Sequence, residues 1–207
     1  RRERLDLEGQ NLLALLDGEL DERFSPEVPR WAALERDRLY LVSYAANSVA
    51  RPVFDLLTSM VFYDPLPDAM RGVRRHDPWP HLRSDGANVA SMLEQMQATN
   101  PAQIWGITQY MKRVLPGLDG IKTVDLAGHD LLQVSVGTAN SDKPHTFEAD
   151  QLSDGTLRGL GILVALFQGR LGGKSATSLV GIEEPENNLH PATGGAFADA
   201  LSDASYD

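Results

Sequence analysis

Glu183 and Glu184 stand side by side in SLVGIEEPENNLHP (178–191), directly after an aliphatic run. Two carboxylates at the carboxyl end of a strand sit where open α/β sheets bind their ligands. Taken alone, they read equally well as a solvated strand end. A glycosidase pair is excluded, because neighbours on a strand point to opposite faces and cannot flank one bond. Upstream lies LSDGT: Leu152, Ser153, Asp154, Gly155 and Thr156. A serine and a glycine at the start of a helix offer orphan N–H donors and the positive end of the helix dipole to an anion. The same residues also make an ordinary helix N-cap, which needs no ligand. The chemistry open to the two segments is therefore anion binding at the first and carboxylate chemistry at the second.

The elements between and around them must position these groups. Residues 160–167, LGILVALF, are apolar on all sides, so as a helix they must be buried. Residues 179–182 form the short aliphatic run of a central parallel strand covered on both faces, and Pro185 turns the chain away after it. Further upstream, residues 1–38 read as helix and turn, broken at Pro26 and Pro29, and 39–44 alternate as a strand. Residues 53–60, 88–96 and 104–115 read as helices, with the apolar piece 61–63 after the first. Residues 121–136 read as a hairpin, with Leu132, Val134 and Val136 in strict alternation. A loop at 71–86 carries Arg71, Arg74, Arg75, His76, His81 and Arg83. It reads as a solvated loop or as a patch touching nucleic acid. The fold class is α/β.

Composition bounds the functional classes. The 207 residues are 42% hydrophobic and 23% charged, the balance of a globular protein. No apolar run reaches the ~18 residues of a membrane span, so no membrane role is expected. Nothing reads as a signal peptide, and the absence of cysteine rules out disulfides and thiolate chemistry; both fit a cytoplasmic setting. The net charge of −10 argues against a uniformly basic nucleic-acid binder. Gly172-Gly173-Lys174-Ser175 imitates the end of a phosphate-binding loop. However, Gln168 stands where that loop needs a glycine, and the order helix–GGKS–strand is the reverse of the one required.

The order LSDGT, all-apolar helix, aliphatic run, EEPENNLHP resembles the signature-to-Walker-B segment of ABC-class ATPase heads. More narrowly, it resembles the prokaryotic branch related to RecF, SMC and OLD-type ATPases, the AAA-family predicted ATPases of the AAA_21-like kind. The match covers 151–201, and Ser84-Asp85-Gly86-Ala87-Asn88 resembles a further segment of that branch. The resemblance implies a P-loop NTPase-like head with a mixed sheet and a helical signature lobe. It implies ATP and Mg2+ as cofactors and a homodimer arranged head to tail around ATP, with DNA or an effector protein as a further partner. Glu183 falls where an aspartate usually helps hold Mg2+, and Glu184 matches the residue that polarises the attacking water. Leu152, Ser153, Asp154, Gly155 and Thr156 match the signature that meets a partner subunit's nucleotide. Asn187 and Asn188 fall on the D-loop, with His190 beside them as a catalytic candidate. The implied layout is one partial head over 1–207: residues 1–140 form the sheet and helical lobe, and 141–207 hold signature, buried helix, Walker B strand and D-loop. A P-loop upstream and a switch histidine downstream are expected outside the given residues, so this chain alone is expected not to bind ATP tightly. The implied role is an ATP-driven switch in DNA repair or phage defence. The competing readings are a non-hydrolysing regulatory module on the same scaffold and a nucleic-acid-binding protein using the 71–83 loop.

Overall fold

The computed structural model describes residues 2–7, 10–16, 19–20, 51–137, 143–168 and 179–205. The chain divides into two compact units, Arg1–Ser59 and Met60–Asp207.

In the first unit the helix-and-turn expectation for 1–38 is corrected by three antiparallel strands, β1 (Arg2–Leu7), β2 (Gln10–Leu16) and β3 (Glu19–Leu20). The register pairs Leu7 with Gln10 and Leu16 with Glu19. The physical reason lies in alternation: Leu5 and Leu7 are interleaved with Arg4 and Asp6, a period of two that a charge-rich helix reading overlooks. Helix α1 (Arg51–Thr58) starts and ends two residues earlier than the expected 53–60, and Met60 belongs to a strand instead. The expected strand 39–44 and the GGKS segment 172–175 lie outside the described residues.

The second unit holds two sheets. Strand β4 (Met60–Tyr63) pairs parallel with β9 (Leu179–Ile182), in the register Met60 to Leu179 through Tyr63 to Ile182. An antiparallel sheet is ordered β5 (Arg74–Arg75), β7 (His129–Val136), β6 (Leu118–Asp125), with β8 (His145–Glu148) also on β7. The β6–β7 turn places Ala127 and Gly128 at φ of 54° and 83°. Positive φ at both central residues matches the twist of the flanking strands. This is the hairpin expected from alternation, and it closes at Leu126–His129.

Helices α2 (Pro67–Met70), α3 (Val89–Thr99), α4 (Pro101–Val114), α5 (Asp154–Phe167) and α6 (Gly194–Ser205) complete the unit. Helix α5 is the axis of the core. Leu157, Leu160, Ile162, Leu163 and Val164 are all essentially inaccessible, as the run of apolar residues requires. Each such side chain contributes about 1.5–3 kcal/mol relative to exposure. The helix packs on α2, α3, α4, α6 and β9. Strand β9 departs from expectation: Leu179 is exposed and the other three residues are half-buried. Among the described residues β9 has one neighbour, β4, so neither is seen as an inner strand of a sheet.

Candidate active site

The parallel pair β4–β9 ends in carboxylates. Asp64 follows β4 and Glu183 follows β9, and the ladder continues one step further through the Glu183 N–H to the Tyr63 carbonyl (2.9 Å). At Glu184 the extended conformation stops, because its φ is +41°. The strand alternation that would set the two glutamates on opposite faces therefore does not reach Glu184. A non-glycine residue at positive φ costs of order 1 kcal/mol and persists where its surroundings over-determine it.

Those surroundings are visible. The Glu184 carbonyl accepts from Asn187 N–H (2.9 Å), and the Asn187 side-chain amide reaches Glu184 Oε2 (3.3 Å). Beneath both glutamates lies Arg158, whose side chain is only 3% exposed. One terminal nitrogen donates to Asp64 Oδ1 (2.9 Å) and the Pro65 carbonyl (2.8 Å). The other donates to the carbonyls of Glu183 (2.8 Å) and Glu184 (3.1 Å). Its Nε has no partner. Arg158 thus ties the carboxyl ends of both parallel strands to α5, using the planar fork that lysine lacks. The sequence reading missed it, although it is the sole charge between Gly155 and Phe167. A lone arginine inside an apolar helix signals a buried acceptor cluster. Because Arg158 is spent on Asp64 and on backbone carbonyls, the carboxylates of Glu183 and Glu184 remain exposed. Neither pairs with a lysine or arginine among the described residues.

The LSDGT turn touches this same segment. Ser153 is the N-cap of α5: its Oγ accepts from Thr156 N–H (3.2 Å) and lies 2.8 Å from Thr156 Oγ1. A Cβ on Gly155 would stand 2.4 Å from the Asn188 carbonyl oxygen, so only glycine allows the α5 N-terminus and the 183–190 segment to meet. One turn on, Gly159 gives the same room to Phe197 and Leu189. The arrangement brings Ser153, Asp154, Gly155, Glu183, Glu184, Asn187 and Asn188 to one end of α5. His190 is exposed in the same segment, and its carbonyl accepts both the Thr193 N–H and the Thr193 hydroxyl.

The family model that matches this chain is AAA_21, described as "AAA domain, putative AbiEii toxin, Type IV TA system", over residues 23–206. The chain belongs to that family. No curated protein and no solved structure matches it. Membership implies a P-loop NTPase-like domain, and the mixed parallel and antiparallel sheets agree with that class.

Within this AAA_21 domain the basic loop has an internal job. Arg71 contacts the Asp154 carboxylate and donates to the carbonyls of Leu152 (2.9 Å) and Asp150 (3.2 Å). It therefore holds the LSDGT turn from outside, much as Arg158 holds the strand ends from within. Arg74 donates to the Ala69 carbonyl (2.9 Å), Arg83 pairs with Asp77 (2.6 Å), and His76 lies between Asp130 and Glu94. Four of the six basic residues singled out in the loop are thus engaged within the chain, which runs against a free basic patch. The Ser84–Asn88 stretch serves the same end of the domain. The carbonyls of Ser84 and Asp85 accept from the N–H groups of Asp64 and Leu66, and Asn88 is buried with its amide bridging Arg83 and His81. No described helix is long and apolar enough to cross a membrane.

Proposed function

We propose that this AAA_21 domain is an ATP-driven switch that works as a head-to-tail dimer, with ATP held between subunits. In it, 141–207 carries the signature, Walker B strand and D-loop of an ATPase head. The observation that carries the reading is the contact of Gly155 with the Asn188 carbonyl. It joins an anion-favouring helix start to a pair of exposed carboxylates at the carboxyl end of a parallel sheet.

The residues present fit Mg2+ and a nucleotide. Glu183 and Glu184 are exposed and oxygen-bearing, and neither meets a lysine or arginine among the described residues, as a hard cation requires. Glu183 would hold Mg2+, and Glu184, steadied by Asn187, would orient and polarise a water. Bound Mg2+ would supply charge neutralisation at the phosphates. On the signature side, the Ser153 hydroxyl is used in capping, so the first-turn amides of Asp154 and Gly155 are the donors for a partner subunit's phosphate. The family description, a toxin of a type IV TA system, favours a phage-defence setting over DNA repair. His190 would sit beside this machinery as a lesser contributor.

The test is Glu184→Gln in the intact gene product. The expected result is ATP binding within a few-fold of the parent and turnover reduced by about 10²–10⁴, the usual contribution of a positioned base. Unchanged turnover would remove Glu184 from the role.

A further inference from the structure

The antiparallel sheet carries a second cluster with metal-ligand chemistry. His76 Nδ1 lies 2.9 Å from Asp130 Oδ2 and 3.2 Å from Glu94 Oε2, and the three ligand atoms are all within 4.8 Å of one another. They come from three elements: the residue after β5, helix α3 and the start of β7.

Their environment is asymmetric. The Asp130 side chain is 2% exposed, whereas His76 and Glu94 are 47% and 44% exposed, so the cluster has a buried floor and an open mouth. Burying a carboxylate is costly without a counter-charge. Neither Asp130 nor Glu94 pairs with a lysine or arginine among the described residues. Two carboxylates therefore share one imidazole.

Supporting contacts hold each group in place. The Ser91 hydroxyl donates to Asp130, and its oxygen accepts from Asp77 N–H (3.0 Å). The His76 backbone N–H donates to the Gly128 carbonyl (3.0 Å), and β5 pairs Arg74 with Asp130 itself. Hydrogen bonds of this kind orient ligands around a metal ion.

We propose that His76, Glu94 and Asp130 form a zinc site with a fourth, solvent-facing position. Ligands about 2.0 Å from a tetrahedral zinc stand roughly 3.3 Å apart, close to the His76–Asp130 and His76–Glu94 separations of 2.9 and 3.2 Å. One imidazole nitrogen with two carboxylate oxygens suits zinc better than magnesium or calcium, which prefer oxygen alone. The ion would neutralise the buried Asp130 and staple the 71–86 loop to α3 and β7. The site is separate from the Glu183–Glu184 pair and stands whether or not that pair turns over ATP.

The experiment is titration of the metal-free chain with Zn2+ against a chromophoric chelator, with Co2+ absorption as a reporter of coordination geometry. His76→Ala and Glu94→Gln, both at half-exposed positions, are compared with His145→Ala, which lies outside the cluster. The expected result is one equivalent of Zn2+, a tetrahedral Co2+ spectrum, and affinity lowered at least about tenfold in both cluster variants but not in His145→Ala. Zn2+ should also raise the melting temperature of the parent but not of His76→Ala. No stoichiometric binding, or binding unchanged in both cluster variants, would overturn the site and leave the cluster as an ion pair bridged by a protonated imidazole.

Discussion

The two sheets of the larger unit handle charge in opposite ways. At the end of the parallel pair β4–β9 the cation is buried: Arg158 is almost inaccessible, while Glu183 and Glu184 face solvent. In the antiparallel sheet the anion is buried: Asp130, on the inner strand β7, is inaccessible, while His76 and Glu94 are open. The first arrangement fixes backbone and leaves carboxylates available. The second fixes a carboxylate and leaves an incomplete counter-charge. Which partner of a charged cluster is buried decides what the cluster can offer to a ligand.

The largest effect that separates the two regions is expected at Arg158. Arg158→Met leaves the half-exposed Asp64 and three carbonyls without their donor, and each buried acceptor left unsatisfied costs roughly 1–3 kcal/mol. Denaturant unfolding measures it, and a cost under about 1 kcal/mol would show that Arg158 does not fasten the strand ends. Gly155→Ala comes next. Its Cβ collides with the Asn188 carbonyl, so a loss of about 1–3 kcal/mol is expected together with a larger loss of turnover. Ser153→Ala removes one cap bond, for about 1 kcal/mol. If Ser153→Ala proves costlier than Gly155→Ala, the cap and not the contact organises the turn.

The smallest effect lies outside both regions and serves as a reference. The Tyr110 phenol is pushed up to about 12 by its hydrogen bond to the Asp203 carboxylate, from an ordinary value of 10.0. A group raised in the folded state contributes stability that is complete below pH 10 and lost as the pH climbs toward 12. Tyr110→Phe should flatten that alkaline limb in unfolding curves taken from pH 9 upward, without moving either cluster.

Much of this was legible in the sequence, because local pattern determined it. Residues 160–167 had to be buried, since a helix apolar on every side has no face for water, and 121–136 alternated with a period of two. The LSDGT and EEPENNLHP segments stood out by order and composition. The targets of the charged residues were not legible. Arg71 looked like one member of a basic loop, and only tertiary structure brings it to Asp154. Asp130 lies within the stretch 121–136 read only as a hairpin, and only tertiary structure shows it buried against Ser91 from α3. Arg158 did leave a signal, a single charge in an apolar helix, but its acceptors lie as far as 94 positions away in the chain. Residues 2–7 misled because charge density hid a strand alternation.

The central claim is that the LSDGT turn serves a neighbour's nucleotide while Glu184 serves its own. Mixing Ser153→Arg with Glu184→Gln protein tests it most directly, each variant being inactive alone. If the sites are shared head to tail, mixed dimers keep one intact site, and a 1:1 mixture should recover about a quarter of the parent ATP turnover. A mixture as inactive as its components would contradict the account.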